Sequence, residues 1–181
     1  MPVASAADLQ QAEPVHWRCQ PFESAPPALL YHALALRSSV FVVEQRCIYQ
    51  DLDGSDFGAL LITGSLRGDL AAGAASGRDP GVVAAARVLP PARRYAEPSI
   101  GRVCTSPQHR RLGLGRALMT YAIRVTRDHH PGTDIRISAQ AYLQAFYASL
   151  GFETVSQPYL EDGIKHLEML LPSARPSTTS S

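Results

Sequence analysis

The sequence predicts a mixed α/β domain with helices packed on a central β-sheet. Two observations carry this expectation. Strand-like and helix-like stretches alternate in the order β-α-loop-β-β-β-α-β-α-β-β. The chain also has 181 residues, 45% of them hydrophobic and 18% charged, which suits one domain with a sizeable core and would be cramped for two.

Residues 1–14 are Ala- and Gln-rich and are expected to be a disordered N-terminal segment; residues 15–171 form the single domain, and the polar run 172–181 is a disordered tail. The first strand is expected over Val15–Phe22, where Val15, Trp17, Cys19 and Pro21 alternate with polar residues. Pro26 and Pro27 open a helix whose apolar stripe runs Leu29, Ala33, Leu36, Val40 and Val43. The polar turn Tyr49–Asp56 follows, then strands at Ala59–Leu66 and Val82–Leu89 around a long flexible loop, Arg67–Gly81. A proline-rich loop leads into a strand at Ile100–Thr105.

The next helix carries Leu114, Leu118, Tyr121 or Ala122, and Val125 on one face, and ends at Pro131 and Gly132. Asp134–Ala139 is a strand, Leu143–Leu150 a helix stopped by Gly151, and Phe152–Tyr159 and Lys165–Leu171 are closing strands joined by the turn LEDG.

A net charge of +1 argues against a dedicated nucleic-acid binder. Three isolated cysteines with no metal spacing read as reduced, partly buried thiols, and no metal site is expected. No stretch approaches the ~20 apolar residues that span a bilayer. The first residues do not read as a signal peptide, so a cytoplasmic location is the default expectation.

The stretch HRRLGLGR, from His109 to Arg116, is unfavourable for an isolated helix, because glycine weakens helices and positive charge opposes the helix dipole. It contains no P-loop string, and the dinucleotide fingerprint fails because Leu118 stands where the third glycine belongs. What it does match is Arg/Gln-x-x-Gly-x-Gly/Ala, through Arg110, Gly113 and Gly115. Missing side chains there let an anion approach the free N–H groups of the first helical turn. A plain surface helix that happens to carry glycine and arginine would read the same way.

The surroundings narrow the choice. A strand, the RxxGxG helix, another strand, and a helix ending in Tyr147, Gly151 and Phe152 follow the core order of the GNAT N-acetyltransferases, which the chain resembles. Gln140 stands where that family usually has asparagine seven residues before the tyrosine. The segment 30–56, with Leu36, Arg37, Val40–Gln45, Cys47, Tyr49, Asp51, Asp53 and Gly54, is similar to the N-terminal block of the ElaA-like subgroup. ARVL at Ala86–Leu89, GRV at Gly101–Val103 and EDGIKHLEM also fit. The resemblance spans Trp17–Leu170 and departs at the long loop and at Lys165, where proline is common. It implies a central mixed β-sheet with helices on both faces.

The resemblance implies acetyl-CoA as the cofactor and an acetyl-CoA-dependent N-acetyltransferase, acting by direct attack in a ternary complex. The implied cofactor contacts are the strand Arg102, Val103, Cys104 and Thr105, the helix mouth Arg110, Arg111, Leu112, Gly113, Leu114, Gly115 and Arg116, and Gln140 and Tyr147. Tyr147 is the implied general acid, with packing aromatic as its plainer reading. Glu44 is a candidate base, and Arg37 seven residues earlier falls on nearly the same helix face; a carboxylate merely paired with an arginine is the plainer reading. Arg37, Glu44, Arg87 and His166 are the candidate acceptor contacts. Asp51 and Asp53 read as turn formers that could attract a cationic amine.

The acceptor is expected to be a small-molecule or peptide amine, with no nucleic acid and no membrane as partner. Homodimers are common on this fold but have no readable mark here. A non-catalytic acyl-CoA-binding domain on the same fold is the alternative, and the tyrosine retained beside an intact glycine pair speaks against it.

Overall fold

The computed structural model describes residues 15–47, 49–66 and 81–173. The expected disordered segment 1–14, the loop over residues 67–80, and residues 174–181 of the tail lie outside the described residues.

Among the described residues, eight strands form one sheet in the order β1-β2-β3-β4-β5-β8-β6, with β7 also paired to β8. β1 (Val15–Pro21), β2 (Leu60–Leu66), β3 (Val82–Leu89) and β4 (Ser99–Thr105) pair antiparallel in sequence order. β5 (Ile135–Gln140) runs parallel to β4 and antiparallel to β8 (Ile164–Leu171).

β3 shows why helices cover both faces. Its sequence, VVAAARVL, is almost wholly buried, as expected of a strand covered on two sides. Ala84, Ala86 and Val88 point to α2 (Leu114–His129), against Leu118, Met119 and Ala122. Ala85 points the other way, to Leu36 of α1 (Pro27–Arg37) and to Val40 just beyond it. Small side chains at 84–86 let both helices approach closely. Trp17 stacks on Tyr121 at the flank of α2, with ring centroids 5.8 Å apart. Gly64 makes room for it, since a Cβ there would lie 2.6 Å from the indole.

Four sequence expectations change. The apolar stripe of α1 reaches Val40 but not Val43, which is 72% exposed. From Ser38 to Glu44 the backbone makes wider π-helical turns, with the Gln45 N–H bonded to the Val40 carbonyl at 3.0 Å, so a spacing of three and four no longer lines one face. The single strand expected over Phe152–Tyr159 is two short ones, β6 (Glu153–Thr154) and β7 (Tyr159–Glu161). Pro158 between them has no N–H to give to a ladder. Leu160 and Glu161 belong to β7, and the turn itself is Asp162–Gly163, both at positive φ (50° and 79°), as a two-residue hairpin requires. The helix expected over Leu143–Leu150 is the short α3 (Gln144–Ala148), entered through a tighter turn at Ala141–Leu143.

Two irregularities prepare the site. β4 and β5 pair only at Ser99↔Arg136 and then part, although β4 continues to Thr105 and β5 to Gln140. β4 also bulges: Arg87 faces Gly101 and Ala85 faces Cys104, so Arg102 and Val103 together oppose Ala86. Arg102 takes the left-handed conformation there, with φ 53°.

Candidate active site

The parting of β4 and β5 opens a cavity of about 160 Å³. Arg102 and Val103 of the bulge line one wall, and Ile137, Ser138 and Gln140 of β5 line the other. Tyr147 of α3 reaches it from beneath, and Gln45, Cys47 and Tyr49 reach it from the segment after α1. Arg94, Glu161 and His166 line the far side.

Tyr147 is buried, packed edge-on against Phe146 and Phe152. Burial, helped by Tyr142, pushes its phenol up to about 12, so it stays protonated at neutral pH. Gln140 donates from Nε2 to Gln45 Oε1 at 3.1 Å, tying the end of β5 to the segment after α1. His166 contacts the Ile164 carbonyl through Nδ1 at 2.9 Å and stacks on Tyr159. A ring nitrogen facing a carbonyl must carry the proton, which leaves Nε2 as the acceptor in the neutral ring.

The helix mouth lies outside the cavity lining. Gly113 begins α2 in the left-handed conformation, φ 72°, with no side-chain cap and no acidic residue in the first turn. The first-turn N–H groups of α2 are therefore left to another acceptor. Backbone conformation accounts for Gly113. It does not account for Gly115, where a Cβ would come no closer than 4.0 Å to another group, the Phe146 ring. Nothing in the fold requires glycine at 115, and approach of a ligand from outside would.

The other predicted residues are placed differently. Arg110 is held by Glu44 in a two-pronged pair at 2.5 and 2.7 Å, both side chains well exposed. Its hydrogen bond and charge draw the Glu44 carboxyl below the usual range. Glu44 is absent from the cavity lining, and Arg37 is 1% exposed and bonded to Asp51 and Asp56. The expectation that Arg37 and Glu44 share a face of the acceptor pocket therefore fails, because the π-helical turns rotate one away from the other. Arg87 lines the cavity, but its guanidinium is bound by Asp53 at 2.9 and 3.3 Å and approached by Asp56. Cys104 is buried among Leu36, Val40 and Ala85, on the face of β4 away from α2. Arg116 donates to Ser149 Oγ at 2.7 Å and lies over Phe146.

Of the far wall, His166 is expected from the sequence, and Ser138, Tyr159, Glu161 and Arg94 are not. Ser138 donates to Glu161 Oε2 at 2.8 Å and accepts from the Tyr159 hydroxyl at 2.7 Å, and Arg94 holds the other oxygen of Glu161 at 2.6 Å. Burial raises the Glu161 carboxyl, but the bonds from Ser138 and Arg94 outweigh it and leave the group lowered. Glu161 lay in the turn LEDG and Arg94 in a proline-rich loop, and neither carried a spacing that pointed to a site.

The acetyltransferase (GNAT) domain model matches residues 80–172. A UPF0039 protein of Synechocystis sp. is 39% identical over 156 residues, covering 86% of this chain and 94% of that protein. The protein ElaA of Escherichia coli is 37% identical over 155 residues, covering 86% and 95%. Among solved structures, an acyl-CoA N-acyltransferase from Pseudomonas aeruginosa is similar, at 36% identity and TM-score 0.76, over 87% of this chain and 99% of that one. The crystal structure of E. coli ElaA is similar at 34% identity and TM-score 0.74, over 86% and 98%.

Proposed function

Because the chain belongs to the GNAT acetyltransferase family, whose members use acetyl-CoA or another acyl-CoA as cosubstrate, we propose that it transfers an acetyl group to a primary amine by direct attack in a ternary complex. The observation that carries this reading is the cavity between the parted strands β4 and β5, with Val103 on its wall and a protonated Tyr147 beneath it. The unpaired edge of β4 offers Arg102–Thr105 to the pantetheine arm as a partner strand. The first-turn amides between Arg111 and Arg116 offer donors to the pyrophosphate, and Gly115 clears its approach.

The Val103 N–H polarises the thioester carbonyl. The neutral amine attacks the carbonyl carbon, a C–N bond forms, and the C–S bond breaks as the intermediate collapses. His166 Nε2 accepts the proton released by the nitrogen, and Tyr147 gives its proton to the departing thiolate. His166 takes the role of base here because Arg110 occupies Glu44 outside the cavity lining.

Direct attack is favoured over an acyl-enzyme. Cys47 is the cysteine that lines the cavity, and its thiol is pushed up by burial and by the negative charge of Asp162, which suppresses the thiolate. The arginines on the lining, Arg87, Arg94 and Arg102, are each paired to carboxylates, which favours an acceptor without an acid group of its own.

Calorimetry with acetyl-CoA, followed by a thiol-release assay over a panel of amines, tests the reading. Tyr147→Phe is expected to lower kcat by about a hundredfold with acetyl-CoA affinity retained. No binding of acetyl-CoA at millimolar concentration would overturn the proposal as a whole, whereas full turnover by Tyr147→Phe removes only the general acid.

A further inference from the structure

The segment DLDGSD, from Asp51 to Asp56, reads in sequence as a polar turn. In the fold it is the acidic half of a buried network whose basic half is Arg37, Arg87 and Arg102. The network meets the β4 bulge on both of its strands. Arg102 is the left-handed residue of the bulge itself. Its guanidinium lies 2.7 Å from Asp51 Oδ1, 3.1 Å from Asp53 Oδ2 and 3.2 Å from the Asp51 carbonyl, over the ring of Tyr49. Arg87 stands on β3 opposite Gly101 and is gripped by the same Asp53. Asp51 and Asp56 are anchored in turn on Arg37, which is 1% exposed.

Arginine is an unexpected residue for that conformation. A bulge that needed only a left-handed turn would be served by glycine, and Gly101 stands one position earlier without a positive φ. The cost of a left-handed conformation at a residue with a Cβ, such as Arg102, persists only where the surroundings over-determine it. Here two carboxylates, a carbonyl and an aromatic ring do so.

We propose that Arg102, clasped by Asp51 and Asp53, is a positioning residue that keeps the β4 bulge in the shape presenting the Val103 N–H to the acyl carbonyl. The clasp ties the loop after α1 to both strands of the bulge, so the strand cannot relax into the regular ladder with Ala86. This rests on the acetyl-transfer reading for its consequence in turnover, but not for its consequence in carbonyl polarisation.

The test compares wild type with Arg102→Gly, which tolerates the left-handed backbone and lacks the clasp, and with Asp53→Asn, a milder change at a partly exposed carboxylate. Three quantities are read: kcat, the Kd for coenzyme A without an acyl group, and the infrared carbonyl stretch of bound carbonyl-labelled acetyl-CoA. In both variants kcat is expected to fall by at least about tenfold and by clearly more than any rise in the coenzyme A Kd, because the pantetheine arm meets only the backbone at Arg102. The bound carbonyl stretch is expected to return toward its value in solution. The double variant should lose little more than Arg102→Gly alone, because both changes open one clasp.

An unchanged carbonyl stretch in both variants overturns the proposal, as does a loss of coenzyme A affinity that matches the fall in kcat. If wild type polarises the bound carbonyl yet acetylates no amine, the transfer reading falls and the clasp stands. If wild type binds acetyl-CoA without polarising it, the clasp falls.

Discussion

Two of the arginine–carboxylate clusters, one at the mouth of α2 and one beside the β4 bulge, differ chiefly in their access to water. At the mouth of α2, Arg110 and Glu44 meet on the surface at 2.5 and 2.7 Å. Beside the β4 bulge, Arg37, Arg87 and Arg102 share Asp51, Asp53 and Asp56, with Arg37 and Arg87 only 1% and 3% exposed. The surface pair is shorter, and it contributes less. Water screens exposed charges and solvates each partner when the pair opens, whereas a buried charge that loses its partner has nothing in its place. Short distances therefore say little about stability until burial is known. The surface pair is free to exchange one anion for another, and the buried one is suited to hold a shape.

The largest separation between the clusters should come from Arg37→Ala, which removes the buried partner that Asp51 and Asp56 share and leaves each with one arginine at its edge. A loss of about 3–5 kcal/mol is expected in chemical denaturation. Glu44→Gln should change stability by less than about 1 kcal/mol. Equal losses for the two would erase the distinction.

Next comes pH. Burial pushes both the Cys104 thiol and the Tyr147 phenol up to about 12, so the folded state prefers their neutral forms. That preference is fully present below the ordinary values of 9.0 and 10.0 and is lost as pH climbs from there toward 12. Burial also raises Asp53, but its bonds to Arg87 and the Ser55 amide overcome this and hold it well below the carboxylate range. Its contribution is complete above the unfolded carboxylate range and declines as pH falls below it. Denaturation midpoints followed across pH should therefore fall at both ends, and Asp53→Asn should flatten the acid limb while leaving the alkaline limb alone.

A smaller effect should appear at Arg110→Ala. Stability is expected to stay within about 1 kcal/mol, while acetyl-CoA affinity falls by about tenfold. Calorimetry that shows undiminished acetyl-CoA affinity would make the pair with Glu44 an ornament of the surface.

The smallest expected effect has opposite signs in two assays. Gly115→Ala should raise thermal stability by up to about 1 kcal/mol, since alanine is the better helix former and the site has room for a methyl group. It should also weaken acetyl-CoA binding. A variant that gains stability and keeps full affinity would leave Gly115 without a reason in the ligand.

Much of the candidate site was legible because its local parts carry local patterns. The stripe Leu114, Leu118, Ala122 and Val125 predicts the buried face of α2, and RxxGxG predicts a helix mouth short of acceptors. Tyr147 is singled out by the resemblance to the GNAT core order, carried by Tyr147, Gly151 and Phe152, and it does line the cavity. Arg37 and Glu44 could not be placed by local pattern. Their seven-residue spacing assumes an α-helix, and the backbone between them widens into π-helical turns that no local composition marks.

The sequence by itself determined the order of elements, the faces they bury and the glycine-rich mouth of α2, because these follow from periodicities of two and 3.6 and from backbone freedom. Only the tertiary structure decided which arginines are occupied. Arg87 finds Asp53 34 residues away and Arg102 finds it 49 away, while Arg110 finds Glu44 across 66. Ion pairs across such separations depend on how the sheet folds back on the loop after α1, and the same burial that excludes water sets what each pair contributes.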